Sequence, residues 1–205
     1  MSLSFRHIAT LFLSLTLACA DAVADDSAQP NPLELSLEEN IEVPTVPSKN
    51  KPAVREANDN LRSELERSGF KTSKLRQGEV LMLSIPCEQL FRANSAIIAP
   101  EGEVILKKLE LLANYHNKYK ILIAVHTDDT GDESYADIIT SDRANAIDDF
   151  LSRQAGHGQM ITIPYGIGRD EPLVANDSIK KRSQNRRVEI YIVPQTALFS
   201  KNRKK

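Results

Sequence analysis

An aspartate and an arginine are the two residues of this chain whose types and spacing best suit a chemical role. Asp128 follows an apolar stretch, and Arg143 lies fifteen residues later in a segment with helical periodicity. A carboxylate binds an ammonium group, and a guanidinium binds a carboxylate through two parallel hydrogen bonds. The pair can therefore hold both charged ends of a zwitterion, which indicates a binding site and not a reaction centre.

Apolar patterning predicts the elements that position this pair. Continuous apolar runs indicate strands, and apolar residues recurring every three or four positions indicate helices. The chain gives strands over 79–85, 119–125, 160–165 and 188–193 and helices over 54–69, 100–116 and 135–152. We expect an α/β (α+β) fold in βαβαβ(α)β order, with helices packed on a mixed four-stranded sheet. Asp128 then lies beyond a strand end, where such sheets bind ligands.

The first 24 residues predict an export signal. A positively charged start precedes an apolar run from Ile8 to Ala18 that is too short to span a bilayer. Two routes are open: ordinary cleavage after Ala24, or lipidation at Cys19, which would anchor the protein to a membrane. Both place the mature protein outside the cytoplasm. Both also leave Cys87 without a disulfide partner, so we expect a buried, unreactive thiol.

Composition divides the chain into five segments. The hydrophobic content of 41% among 205 residues, with no Trp, is enough for one modest core. Residues 25–53 carry several prolines among acids and no periodicity, so we expect an extended or disordered tether. The predicted segments are the export signal (1–24), the Pro-rich acidic tether (25–53), a short helix and connection (54–77), the folded domain (78–194) and a basic tail (195–205).

Charge and motifs argue against several function classes. The net charge of −2 does not favour nucleic acid as a partner, and the basic C-terminal end is predicted to be a solvated tail. No Gly-x-Ser-x-Gly elbow is present, so an enzyme is not predicted. Four side chains could be imagined as a metal cluster but have no recognised ligand spacing: His126, Asp128, Asp129 and Asp132. No cofactor or metal is predicted.

Three motifs carry a resemblance to a known family. The first is Thr127-Asp128-x-x-Gly131 with Tyr135, the second is Arg143-Ala144, and the third is Asn176-x-Ser178-x-x-x-Arg182-x-x-Asn185-Arg186-Arg187-Val188-Glu189-Ile190. Upstream, Leu90-Phe91 with Asn94 and Pro100-x-Gly102 is similar to the family's entry loop. From about Leu83 to Pro194 the chain resembles the OmpA-like C-terminal domain family, the peptidoglycan-associating module of envelope proteins.

The resemblance implies non-covalent binding of peptidoglycan through the diaminopimelate residue of its stem peptide. In the family, residues matching Asp128 and Arg143 hold the distal amino-acid end of that residue, with main-chain groups near Asn94 assisting. Thr127, Arg186 and Arg187 are predicted to be secondary contacts.

The implied location is the envelope of a Gram-negative bacterium, in the periplasm and associated with the outer membrane. A membrane contact is predicted only through a lipid on Cys19. Two hypotheses stay open at this point. The first is a module that tethers the envelope to the wall; the second is a periplasmic scaffold with an OmpA-like fold that binds an envelope protein and not the wall. Loss of wall binding on mutating Asp128 would favour the first.

Overall fold

The computed structural model describes residues 31–154 and 160–200 and is built around one five-stranded sheet. In the sheet β3 and β4 are parallel, and the other neighbouring strands are antiparallel. The order across the sheet is β1-β2-β5-β3-β4. Its strands are Thr72–Leu75 (β1), Val80–Pro86 (β2), Tyr119–His126 (β3), Ile161–Gly168 (β4) and Arg187–Pro194 (β5). The mixed sheet and the α/β class are confirmed.

Helices connect and cover the strands. The α-helices are Leu37–Glu42 (α1), Lys51–Arg67 (α2), Cys87–Leu90 (α3), Pro100–Lys107 (α4), Glu133–Gln154 (α5), Ile179–Asn185 (α6) and Thr196–Phe199 (α7). Short 3-10 helices cover Pro32–Glu34, Ser48–Asn50, Arg76–Gly78 and Lys108–Tyr115. Within the described ranges, no helix has the length and apolar character needed to cross a membrane.

One face of the sheet forms the main core because alternate strand residues point to it. β3 contributes Ile121, Ile123 and Val125, and helices α2, α4 and α5 pack over them. Helical spacing places Leu61 and Leu65 of α2 in this core at 1% and 0% exposure. α2 is therefore part of the folded domain, whose predicted start at residue 78 lies too late in the chain.

The fifth strand corrects the prediction of a four-stranded sheet. β1 has the sequence TSKL and pairs with β2 in the register Thr72↔Leu83 to Leu75↔Val80. A strand of four residues with one large apolar side chain lacks the pattern that marks a buried strand. Its position at the sheet edge explains this, since an edge strand is half exposed and is held by backbone pairing to one neighbour.

The predicted disordered tether is also wrong for residues 31–53. Residues 31–46, which we call the N-terminal strap, lie against the second face of the sheet, where Leu37 packs with strand residues such as Leu122. A capping box starts α1: Ser36 Oγ accepts from the Glu39 amide at 3.2 Å, and Glu39 Oε2 accepts from the Ser36 amide at 2.9 Å. The Ser-x-x-Glu spacing was the sequence signal for this helix.

A buried polar network fastens the strap. Asn40 is fully buried; its Nδ2 donates to the Pro32 carbonyl (2.6 Å) and to Tyr165 Oη (2.6 Å), and its Oδ1 accepts from Lys120 Nζ (2.5 Å). Burial, together with the nearby Arg76 guanidinium, lowers the pKa of Lys120 to about 8. Asn40 is therefore the polar partner of an ammonium group that is 3% exposed.

The strap starts at one end of the sheet. Asn31 and Pro32 line a cavity of about 240 Å³ together with Lys120 and Ile161, near the first residues of β3 and β4. The predicted export signal, Cys19 and residues 201–205 lie outside the described residues, as does the tether from 25 to 30.

Candidate functional site

The candidate site lies at the opposite end of the sheet, immediately beyond β3. The amide of Thr127 donates to the Gly168 carbonyl at 2.8 Å, which ties the end of β3 to the end of β4. Asp128 follows at 2% exposure, and its Oδ1 accepts from the Thr130 amide at 2.8 Å. This aspartate turn fixes the carboxylate at the strand end, as the sequence predicted for Asp128.

Arg186 is the ion-pair partner of Asp128. Its Nη1 donates to Asp128 Oδ2, and 58 residues of chain separate the two. Burial alone would raise the pKa of Asp128, but hydrogen bonds from Thr130 and Arg186 outweigh it and lower the pKa below its usual value. Asp128 is therefore charged and already compensated in the free protein.

Arg143 lies in the middle of α5 at 7% exposure. Its Nε donates to the Ser95 carbonyl at 2.9 Å, and its guanidinium lies over the Phe91 ring, 5.1 Å from the ring centre. The aromatic face and the carbonyl stabilise the cation without neutralising it. Part of the fork remains to bind an anion.

The position of α5 depends on a close approach between Gly166 of β4 and Ser141. A Cβ added at Gly166 would lie 2.5 Å from the Ser141 amide nitrogen and 2.7 Å from its Cα. Only glycine allows backbone atoms to approach this closely. Arg143 is two residues further along α5, so this contact sets its height above the sheet.

A tight loop supplies the other wall of the site. Phe91 and Ile98 form an isolated bridge, and the Arg92 amide donates to the Ile97 carbonyl at 3.1 Å. Asn94, near the tip, has a φ of 49°. Asparagine is among the few non-glycine residues that adopt this left-handed conformation readily. The Arg143 bond to Ser95 fastens this loop to α5.

The structure brings five of the predicted site residues around one small pocket. Its volume is about 160 Å³. The lining residues are Asn94, Thr127, Asp128, Thr130, Tyr135, Ile139, Arg143 and Arg186. A second cavity of about 360 Å³ shares Asn94, Arg143 and Arg186 with it and is also lined by Cys87, Glu88 and Arg92.

Arg187 does not line either of these cavities, contrary to its prediction as a secondary contact. It is 7% exposed, and its Nε donates to Glu189 Oε1 at 2.7 Å. Tyr191 Oη also donates to Glu189 at 2.5 Å, and His126 Nε2 lies 3.4 Å from it. Burial raises the pKa of Glu189, but His126, Tyr191 and Arg187 outweigh it and lower the pKa to about 2. Arg187 therefore has a structural role because it compensates a buried carboxylate.

Asn185, beside the two arginines, is likewise structural. It is fully buried, its Nδ2 donates to the Val174 carbonyl (2.8 Å) and to Asn176 Oδ1 (2.7 Å), and its Oδ1 accepts from the Val174 amide (3.0 Å). These bonds hold the loop before α6 against the helix end, next to Arg186. The long polar motif is thus mainly a scaffold that presents Arg186 to Asp128.

Two further sequence expectations concern Cys87 and metals. Cys87 is a buried free thiol, as predicted, and burial raises its pKa to about 11 despite the nearby Arg143. Over residues 31–154 and 160–200, no three His, Cys, Asp or Glu side chains come together in a way that could hold a metal ion.

The sequence prediction missed the Asp128–Arg186 ion pair and the Ser95 carbonyl as a partner of Arg143. Neither contact has a spacing signature, because each joins elements that only the folded sheet brings together. One sequence signal was available: Arg186 directly precedes β5, and β5 pairs with β3, so Arg186 lies near the end of β3.

The fold is a small α/β domain with a charged pocket at the end of β3. Residues 90–186 match the sequence model of the OmpA family. The match falls inside the stretch from Leu83 to Pro194 that carries the resemblance.

Known proteins resemble the chain in sequence or in fold. The chain is 28% identical over 126 residues to "Probable lipoprotein YiaD" of Escherichia coli (strain K12), covering 62% of this chain and 57% of that protein. A MotB-like protein from Desulfovibrio vulgaris shares the fold with a TM-score of 0.62 and 22% identity, covering 72% of this chain and 98% of that one. The cell wall anchor of the T6SS from Pseudomonas aeruginosa gives a TM-score of 0.55 and 21% identity, covering 66% and 94%.

Proposed function

We propose that this protein binds peptidoglycan non-covalently through the diaminopimelate of the stem peptide and so ties the cell envelope to the wall. The observation that carries the proposal is the small pocket in which the Asp128 carboxylate and the Arg143 guanidinium meet. Diaminopimelate ends in an ammonium and a carboxylate on one carbon. Such a zwitterion matches an acid and a fork-shaped donor that line one pocket.

Pocket size supports a head group as the ligand. About 160 Å³ is below the roughly 300–1,000 Å³ of pockets that enclose whole drug-sized ligands. A single amino-acid end suits this space better than a sugar ring with its substituents. Asn94 and Thr127, which also line the pocket, are proposed to hydrogen bond to the ligand through main-chain or side-chain groups.

The relatives support an envelope role. One fold relative is described as a cell wall anchor, and the sequence relative is named a probable lipoprotein. We assign this chain to the periplasm of a Gram-negative bacterium, associated with the outer membrane. The residues before 31 carry the predicted export signal, for which ordinary cleavage after Ala24 and lipidation at Cys19 both stay open.

Co-sedimentation of the mature chain with purified diaminopimelate-type sacculi tests the proposal. The chain should retain residues from 31 onward, because the strap and α2 pack on the sheet. We expect wild type to pellet and Asp128→Ala and Arg143→Ala to remain in solution with unchanged circular dichroism. Asp129→Ala is the matched control, since the Asp129 side chain is 51% exposed and does not line the pocket.

Two results would contradict the proposal: wild type that does not pellet, or variants that pellet equally. Either would favour the scaffold hypothesis, in which an envelope protein is the ligand of this fold. High salt distinguishes non-specific attraction of the basic C-terminal end to the wall from binding in the pocket. Ions screen the first interaction strongly, whereas a buried site is screened much less.

A further inference from the structure

Lys120 is a buried cation without an acidic partner. It is 3% exposed, and over residues 31–154 and 160–200 no carboxylate oxygen lies within 4.0 Å of its Nζ. Its ammonium group donates to Asn40 Oδ1 at 2.5 Å. An ammonium group has three N–H donors, so two of them can take a further acceptor. Buried charges are normally paired, and a neutral amide does not supply the missing negative charge.

Nearby ion pairs do not supply this charge either. Burial and the charge of Arg76 both lower the pKa of Lys120. Arg76 Nη2 lies 3.5 Å from Glu79 Oε2, and Arg76 Nε lies 3.6 Å from Glu42 Oε2. Glu79 also pairs with Lys51 at 2.7 Å. Both carboxylates therefore already have cationic partners, and the positive charge of Lys120 stays uncompensated in this part of the fold.

Lys120 also lines a cavity at the strap end of the sheet. The cavity has a volume of about 240 Å³ and lies between the strap, the first residues of β3 and β4, and the start of α7. Its apolar lining comes from Pro32, Val43, Pro44, Ile161 and Ala197. Gln195 and Thr196 add polar groups. The volume is below the roughly 300–1,000 Å³ of pockets for drug-sized ligands, so a smaller molecule suits it.

We propose that this cavity is a second binding site, one that takes a singly charged carboxylate on a small apolar body. The carboxylate accepts hydrogen bonds from Lys120 Nζ, and the apolar body packs against the prolines and Ile161. Hydrogen bonds between charged groups are stronger than neutral ones, and pairing removes the cost of a lone buried charge. The site lies at the opposite end of β3 from Asp128, so the proposal does not depend on wall binding.

The lining of the cavity favours this ligand over other anions and over neutral molecules. A phosphate or sulfate group carries more negative charge than one lysine can balance, and it has no apolar surface for the walls to contact. An amide of the same shape has no charge to pair with Lys120. The remaining chemistry is an alkyl carboxylate, which occurs on free short-chain acids and at the C-terminus of a peptide that ends in an apolar residue.

The strap supplies part of the site. Pro32, Val43 and Pro44 belong to it, and Asn40 of α1 holds the Lys120 ammonium group. The complete site therefore exists only while the strap lies against the sheet. A ligand that binds only this state stabilises it by mass action, so occupancy should raise the melting temperature of the domain.

Amide NMR shifts of the isotope-labelled mature chain, titrated with three compounds, test the proposal. Isobutyrate represents the free acids, N-acetylvaline represents a peptide C-terminus, and N-acetylvalinamide has the same shape without the charge. We expect both carboxylates to shift the amides of Ile161, Gln195 and Ala197 with dissociation constants of about 1 mM, ordinary for such small ligands. The amide should bind about ten- to a hundredfold more weakly, the range for a hydrogen bond to a charged group. A response to one carboxylate alone would support the site and identify which source it takes.

Substitution of Lys120 tests the cation directly. Lys120→Met should weaken the binding of both carboxylates about ten- to a hundredfold. Lys118→Met is the matched control, because Lys118 is exposed, lies two residues earlier and does not line the cavity. Thermal melts verify that each variant is folded. If Lys120→Met does not fold, the comparison of N-acetylvaline with its amide in wild type tests the same contact without a substitution.

Three results would overturn the proposal: no shifts at the cavity with either carboxylate, equal binding of N-acetylvaline and its amide, or undiminished binding by folded Lys120→Met. Equal losses in Lys118→Met and Lys120→Met would also overturn it, because the effect would then be one of overall charge. Wall binding is measured separately by sedimentation and would stand in each case.

Discussion

Replacing Gly166 with alanine is the perturbation that most directly couples the fold to the pocket. The added Cβ would lie 2.5 Å from the Ser141 nitrogen, where ordinary van der Waals contact begins near 3.4 Å. The atoms in the way belong to the backbone of α5 and cannot rotate aside. Relief therefore requires α5 to move away from β4 by about 1 Å, and Arg143 moves with it.

The displacement of α5 is expected to lower both the stability of the fold and the affinity for the ligand. Overpacking of this kind destabilises a fold by about 2 kcal/mol, and for a domain of this size that lowers the melting temperature by about 4–8 °C. The Arg143 bond to Ser95, now 2.9 Å, would lengthen beyond hydrogen-bonding distance. Affinity for the stem peptide should fall about tenfold or more, since a charged hydrogen bond loses its geometry. Scanning calorimetry and peptide titration measure the two effects.

A double variant tests whether the backbone contact positions Arg143. Ser141→Ala removes Oγ, another atom that the new Cβ would meet, but leaves the amide nitrogen and Cα in place. Ser141→Ala with Gly166→Ala should therefore remain destabilised and weak in binding. If the double variant recovers both properties, or if Gly166→Ala alone melts and binds as wild type does, the backbone contact does not position Arg143.

Three further predictions concern buried groups. The stability of wild type relative to Lys120→Met should rise between about pH 8 and 10.5, because the folded chain releases the Lys120 proton earlier than the unfolded chain does. Urea titrations of both proteins across that range measure the difference in their free energies of unfolding. A difference that does not change with pH would show that the Lys120 ammonium is not desolvated. The stability of wild type relative to Glu189→Gln should be complete above about pH 5 and decline as the pH falls towards 2, because the folded carboxyl has the lower pKa. Acid unfolding of wild type and Glu189→Gln measures this. If the stabilities of the two proteins fall in parallel as the pH is lowered, the prediction is wrong. Cys87 should react with thiol reagents at pH 7.5 at least about a hundredfold more slowly in the folded than in the denatured chain, as absorbance assays can record; fast labelling would show that the thiol is exposed.

The elements with a clear periodicity of apolar residues could be predicted from the sequence. β3 and α5 were placed within a few residues of their observed bounds, because each is a long segment whose pattern reflects its burial. The positions of Asp128 and Arg143 in the fold could be predicted for the same reason, since Asp128 lies just beyond β3 and Arg143 in the middle of α5.

The missed features depend on contacts and not on local pattern. β1 exists because β2 offers a backbone edge to pair with, and the strap is ordered because Asn40 reaches Lys120 and Tyr165, which lie 80 and 125 residues away. The pairing of Arg186 with Asp128 is of the same kind. The sequence does not show that the Asp128 carboxylate is paired with an arginine in the fold.

The strap and the pocket lie at opposite ends of the same strands. Asn31 lies beside the first residues of β3 and β4, and Asp128 lies two residues beyond the end of β3, which has eight residues and therefore spans about 26 Å. A pull applied upstream of Asn31 and resisted at the pocket would load the sheet along its strands. Ladder hydrogen bonds run across that direction and resist shear together, whereas peeling would break them one at a time. On the proposed function, with an anchor before residue 31 and the wall at the pocket, tension would run along the strands, the direction in which the ladder hydrogen bonds resist together.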